Sequence, residues 1–304
     1  EKNVIQYASG DGNDTIRGFN YYHSDEYANT LQLTDGSTIS GWATQKGDYD
    51  SDVGYYRDSD TIILAIGTGS LKFVGGLGHK FNIVDSDGNL TQTYFGPMHI
   101  YNSNANTLIT TTQYDDRVEN YYDNVTIDAG AGNDYVYSSG SKISVKTGDG
   151  DDTIYNYAQN ATIDSGAGND SLKISYYAAS VNAGEGDDYI NGRANNLTLR
   201  AGAGNDTVLN GAYYYNWEQR YYSDNITRTL IDLGDGNDSL LNYATASTII
   251  GGKGDDTIDL GIVTGSVIKY ASGDGNDVIC NFHVDDILQI SSAKYDTSAG
   301  VFSP

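Results

Sequence analysis

The chain has 304 residues and carries 41 Asp plus Glu against 17 Lys plus Arg, a net charge of −24. Such a charge argues against nucleic acid and anionic membrane as partners and points to bound cations. The single cysteine, Cys280, excludes an intrachain disulfide, and no apolar run reaches the roughly 18 residues that a membrane span needs. Leu, Ile, Val and Phe make up only about a fifth of the residues, close to the composition of disordered chains. Something other than a large apolar core must therefore hold the fold together.

The chain begins at Glu1 without Met or a leader and reads as a piece of a longer protein. Its first motif, Val4-Ile-Gln-Tyr-Ala-Ser-Gly-Asp-Gly-Asn-Asp14, returns almost unchanged as Val267-Ile-Lys-Tyr-Ala-Ser-Gly-Asp-Gly-Asn-Asp277, with only Gln6 and Lys269 differing. The offset of 263 residues (267 minus 4) looks like the period of a tandem array. Lys46–Asp60 is acidic; Asp48, Asp50 and Asp52 loosely suggest a calcium loop, but Gly54 comes one position late for an EF-hand, which favours a solvated loop. Residues 60–101 alternate apolar and polar, with a hairpin signal at Asp87-Gly88-Asn89, and are expected to form a small β module capping the N-terminal side.

From residue 102 the chain is periodic. Glycine-rich nonapeptides recur every 18 residues, as in Asp128-Ala-Gly-Ala-Gly-Asn-Asp134 and Lys146-Thr-Gly-Asp-Gly-Asp-Asp152. Copies at this spacing also end in Asp170, Asp188 and Asp206; two more end in Asp238 and Asp256, and a further one in Asp277. Two positions after each Asp stands an aliphatic residue: Val136, Ile154, Leu172, Ile190, Val208, Leu240, Ile258 and Ile279. Plain nonapeptides alternate with these and place Val145, Ile163, Val181, Leu199 and Ile249 at the matching position. Upstream, Thr111–Glu119 keeps Asp116 and Val118 but has Thr112 and Tyr114 where the glycines belong. Asn210–Ser223 is an insertion of 14 residues, after which the register resumes at Asp224. Residues 276–291 read as a capping segment, with Phe282, Ile287, Leu288 and Ile290 positioned to cover the end; a looser copy runs from Asn13 to Thr34 with Phe19, Leu31 and Leu33.

This motif resembles the glycine-rich nonapeptide of the repeats-in-toxin (RTX, haemolysin-type calcium-binding) family over residues 102–280. The resemblance implies an all-β fold, a right-handed parallel β-roll or β-solenoid of 18-residue coils. The expected organisation is 1–101 as an N-terminal β module with one calcium-type loop, 102–280 as the solenoid with its insertion at 210–223, and 281–304 as a C-terminal cap or the start of a next unit. In the usual family pattern both halves of each coil carry the loop; here one does, which implies several Ca²⁺ ions in one row. Carried over by motif position, the ligands are Asp134, Asp152, Asp170, Asp188, Asp206, Asp238, Asp256 and Asp277, together with Asp14. Loop backbone is contributed around Gly130, Gly132, Gly148, Gly150, Gly166, Gly168, Gly184, Gly186, Gly202 and Gly204.

Physical chemistry points the same way. Coils stacked about 4.8 Å apart bring carboxylates close enough to repel by about 3 kcal/mol per pair at an effective dielectric of 20. A column of them would exceed the roughly 5–15 kcal/mol that stabilises an ordinary domain. Ca²⁺ accepts six to eight oxygens in flexible geometry and suits the column better than Mg²⁺. The expected role is a calcium-binding structural or adhesive module of a secreted or cell-surface protein, not an enzyme. His23, His79, His99 and His283 are dispersed, and Gly75–Lys80 has the wrong spacing for a phosphate loop. The alternative is a carbohydrate-binding or carbohydrate-active (lyase- or epimerase-like) solenoid. It would use Tyr213, Tyr214, Tyr215, Trp217, Tyr221 and Tyr222 of the insertion against a cell-surface glycan or protein.

Overall fold

The computed structural model describes residues 4–16, 30–45, 49–50, 55–56, 61–73, 80–211, 213–214, 222–223, 226–291, 294–296 and 301–303. It divides into two compact units, Glu1–His99 and Ile100–Pro304. The described residues contain strands and no helix.

The larger unit is a parallel β-solenoid. Two sheets of ten strands each run its length, and every neighbouring pair within them is two strands apart in sequence, or more where the insertion intervenes. Ten strands at about 4.8 Å spacing make a stack about 43 Å long. The register is the sequence period made physical: Val118 pairs with Val136, Val136 with Ile154, Ile154 with Leu172, Leu172 with Ile190 and Ile190 with Val208. In the opposite sheet Ile127, Val145, Ile163, Val181 and Leu199 line up in the same way. Side chains alternate across a strand, so each of these columns points inward, and together they form one buried apolar cluster. The insertion leaves the stack intact: Val208 pairs directly with Leu240 and Leu199 with Ile231.

A second column lines the interior beside the aliphatic one. Asn102, Asn120, Asn156, Asn210 and Asn242 are buried, and they bond from coil to coil where they adjoin. Asn102 Nδ2 donates to Asn120 Oδ1 at 2.7 Å, and Asn210 Nδ2 to Asn242 Oδ1 at 2.6 Å. At the turn of each plain nonapeptide one residue takes the left-handed conformation: Asn106, Asn124, Lys142, Asn160, Ala178, Asn196, Arg228 and Ala246, with φ between 52° and 62°. Asn tolerates that conformation; Lys, Ala and Arg do so at a cost.

The Glu1–His99 unit has its own core of Tyr7, Leu31, Leu33, Ile62, Leu64, Ile66, Leu71, Phe73, Phe81 and Phe95. Its two four-stranded sheets mix parallel and antiparallel pairs. The hairpin expected at Asp87-Gly88-Asn89 joins Lys80–Val84 to Leu90–Tyr94 in antiparallel register. Asp85 organises this turn, its carboxylate accepting from the backbone N–H groups of Asp87 and Asn89. Phe19, His23, His79, the acidic stretch around Asp48, Asp52 and Gly54, and Gly75–His79 lie outside the described residues.

At the far end, Ile287–Ser291 adds a final parallel strand onto Val267–Ala271. The segment extends the sheet more than it closes it. Phe282, Ile287 and Leu288 remain 47%, 57% and 39% exposed. A strand laid edge-on adds one layer to the stack, and among the described residues its outer edge has no further strand.

Candidate metal centre

The glycine-rich loops form one side of the solenoid. Gly166 and Gly168 adopt φ values of 112° and 124°, a region that L side chains avoid. A Cβ at Gly166 would run into the carbonyl of Gly148 in the coil before, and one at Gly168 into that of Gly150. From Gly130 to Gly254 the loop glycines are thus required twice over, by conformation and by the closeness of the coils.

The last Asp of each loop turns inward. Asp134, Asp152, Asp170, Asp188, Asp206, Asp238 and Asp256 are only 1–2% exposed. Each uses one oxygen in a ladder. The backbone N–H of Asp134 donates to Asp152 Oδ1 at 2.7 Å, that of Asp152 to Asp170 Oδ1 at 2.8 Å, and that of Asp170 to Asp188 Oδ1 at 2.8 Å. The series continues through Asp206, Asp238, Asp256 and Asp277. A second ladder, one residue earlier and exposed, runs the other way. Here the N–H of Asp151 donates back to Asn133 Oδ1, that of Asn169 to Asp151 Oδ1 and that of Asp187 to Asn169 Oδ1. Over this stretch Asp and Asn alternate, which halves the charge of the outer column.

The other oxygen of the inner column has nothing. Oδ2 of Asp134, Asp152, Asp170, Asp188, Asp206, Asp238 and Asp256 is buried without a hydrogen-bond partner. The hydroxyls of Thr147 and Ser165 lie near Asp152 and Asp170 but donate to the carbonyls of Ser165 and Ala183. At the end of the row, a methyl group placed on Gly251 would stand 2.7 Å from Asp256 Oδ2 and 3.3 Å from Asp277 Oδ2. Oδ2 of Asp256 and Oδ2 of Asp277 therefore face one common space. An unpaired buried carboxylate oxygen is costly.

The cost shows as proton affinity. Burial, opposed by the N–H of the preceding ladder Asp, pushes Asp134 up to about 8, Asp188 and Asp238 to about 7, and Asp170 and Asp206 to about 6. Asp152, Asp256 and Asp277 are raised by burial as well. Each site thus wants a positive charge, from a proton or a cation. Among the described residues no three His, Cys, Asp or Glu side chains converge on one point. A cation here would depend on loop carbonyls for most of its oxygens, which suits Ca²⁺ and disfavours ions that seek nitrogen or sulfur.

Asp116 is the exception in the column. It is equally buried, but its Oδ2 accepts from both the N–H and the hydroxyl of Thr112, at 2.7 and 2.8 Å. The residue standing in place of a glycine supplies the donor that the other loops lack. Sequence reasoning noted Thr112 only as a lost glycine. Asp277 closes the ladder at its half-buried end. Asp14, in the Glu1–His99 unit, is exposed and in register with Leu71 instead of another Asp. Of the insertion, Tyr213–Tyr214 pairs with Tyr222–Ser223 in a short antiparallel ladder; Tyr215, Trp217 and Tyr221 lie outside the described residues.

A comparison with protein families matches the RTX calcium-binding nonapeptide repeat (4 copies) at residues 110–140, 144–172 and 179–208. These stretches span the loops of Asp116 through Asp206. No curated protein and no solved structure matches the chain. Repeats of this family bind Ca²⁺ in a row of sites. Residues 110–140, 144–172 and 179–208 thus carry RTX calcium-binding nonapeptide repeats.

Proposed function

We propose that the chain is a calcium-stapled structural module of a large secreted or cell-surface protein, and that its solenoid folds on meeting Ca²⁺ outside the cell. The ligands are Oδ2 of Asp134, Asp152, Asp170, Asp188, Asp206, Asp238 and Asp256, with Asp277 ending the row and loop carbonyls completing each shell. The observation that carries this reading is the set of seven buried oxygens without a partner. Metal binding to sites that exist only in the folded chain becomes folding free energy. Calcium affinities of order 10⁻⁴–10⁻³ M, typical of extracellular modules, would keep the chain loose until export. The module assigns no residue a catalytic role. Circular dichroism during calcium titration at pH 8 tests it: a coil-to-β transition is expected, and a spectrum already fully β in excess chelator would refute it.

An adhesive contact is the second reading, favoured by a row of rings on the outer face. Tyr121, Tyr137, Tyr157 and Tyr176 follow one another at centroid distances of 5.3, 5.6 and 6.4 Å. Tyr121 and Tyr176 are more than half exposed. Aromatic rings with hydroxyl tips suit glycan or protein contacts. Glycan-array binding that survives Tyr121→Ser plus Tyr176→Ser would remove this reading.

A further inference from the structure

The two near-identical segments fold alike in detail. In the first, Tyr7 donates its hydroxyl to the Gly12 carbonyl at 2.5 Å, and Asp11 Oδ2 accepts from the Ala8 N–H at 2.8 Å. In the second, Tyr270 donates to the Gly275 carbonyl at 2.6 Å, and Asp274 Oδ2 accepts from the Ala271 N–H at 2.6 Å. The likeness continues into the strand that each receives. Val4–Tyr7 takes a parallel strand with Ile5 opposite Leu31 and Tyr7 opposite Leu33. Val267–Ala271 takes one with Ile268 opposite Leu288 and Tyr270 opposite Ile290. The received strands read Leu31-Gln32-Leu33 and Leu288-Gln289-Ile290.

The copies part at the next layer. In the Glu1–His99 unit, Thr30–Leu33 carries a further parallel strand, with Leu31 opposite Ile83. Asn13–Ile16 likewise carries Gly69–Phe73, with Ile16 opposite Phe73. Leu31 and Leu33 are then only 1% and 3% exposed. In the last coil of the solenoid, Val278–Cys280 and Ile287–Ser291 are the final strands of their ten-stranded sheets. Val278 is 54% exposed, Val284 97% and Leu288 39%. Among the described residues these are two open parallel edges beside exposed apolar side chains, a surface that proteins ordinarily cover.

The geometry points to the last coil of the solenoid being also the first coil of a second module of the Glu1–His99 type, following in the same polypeptide. Its strands equivalent to Gly69–Phe73 and Lys80–Val84 pair with Val278–Cys280 and Ile287–Ser291, so both sheets pass from solenoid into module without a linker. The occupant is identified by this molecule itself, which shows what lies on the same edges at their first occurrence. This inference does not depend on which atoms hold the metal.

The test extends the full 304-residue chain at its end with residues 48–99 of its own sequence. The 14 residues after Ile290 (304 minus 290) then stand for those between Leu33 and residue 48. In saturating calcium, amide exchange at Val278–Cys280 and Ile287–Ile290 should slow at least tenfold relative to the unextended chain, with the appended strands protected as well. Leu288→Asp in the extended chain should abolish both effects while leaving the mid-rod amides of Ile154–Ile190 unchanged. Unchanged exchange at the edge, or an appended segment that exchanges freely, would overturn the proposal. So would head-to-tail polymerisation of the unextended chain with its edge protected, because the occupant would then be another copy.

Discussion

Two loops of the same column, those ending in Asp116 and in Asp170, make the site intelligible. Both Asp side chains are 2% exposed. Both are in the ladder, the N–H of Asp116 reaching Asp134 Oδ1 and that of Asp170 reaching Asp188 Oδ1, at 2.7 and 2.8 Å. They differ in the second oxygen, which Thr112 satisfies in one loop and nothing satisfies in the other. Loop shape alone does not create demand for an ion. Demand arises where the position of Thr112 is glycine and the carboxylate oxygen has neither the hydroxyl nor the N–H bond that Thr112 supplies.

The largest effect should come from changing the charge on the whole column. In the metal-free rod burial raises Asp134, Asp170, Asp188, Asp206 and Asp238 to pKa values of about 6–8. A carboxyl whose pKa is higher folded than unfolded stabilises the fold fully below about 4, and that contribution is lost as pH rises through the folded value. Without metal, the urea midpoint should therefore fall steeply between pH 5 and pH 8, and saturating calcium should abolish the fall. Equal metal-free midpoints at the two pH values would contradict the raised pKa values.

Single substitutions come next. Asp170→Ala should raise the calcium concentration needed for folding severalfold and lower the melting temperature by about 5–10 °C, as 2–3 kcal/mol does in a unit of this size. Asp116→Ala removes bonds worth roughly 1 kcal/mol each and should leave the number of bound ions unchanged. Calorimetric titration and melting of the two variants side by side separate the loops; equal calcium midpoints would show that the column is uniform. A sharper version converts one loop into the other. Thr112→Gly with Tyr114→Gly frees Asp116 Oδ2, and native mass spectrometry should count one more calcium than in the parent.

The smallest effect lies at the opposite turn. Ala178 sits at φ 52° where other coils have Asn106, Asn124, Asn160 and Asn196. Ala178→Asn should raise the melting temperature by about 1–3 °C, since left-handed Ala costs roughly 1–2 kcal/mol and Asn less. A lower melting temperature would mean that the corner is held by packing instead.

The period, the inward aliphatic columns and the in-phase return after the insertion were legible because each repeats at a fixed spacing; the 32-residue step from Asp206 to Asp238 keeps the ladder unbroken. The buried Asp column was legible for the same reason. What was not legible depends on single contacts. Thr112 reaches Asp116 only because the loop brings residues four apart together. The left-handed corners carry Asn at 106, 124, 160 and 196 but Lys142, Ala178, Arg228 and Ala246 elsewhere, so no single residue type marks them. The mixed sheets of the Glu1–His99 unit have no repeat to announce them, and neighbouring strands there come from distant segments such as Thr30–Leu33 and Lys80–Val84.

The bonds that join one coil to the next also decide how the rod meets tension. Parallel strands stacked along the axis place their inter-strand bonds along that axis, so a pull from end to end opens them one layer at a time. Each released coil of 18 residues lengthens from about 5 Å of stack to about 60 Å of extended chain. An ion held between two layers would have to leave before those layers part. A tether built of such coils would yield in discrete steps, each step reporting the local ion, and would rewind when the force drops and the ion returns.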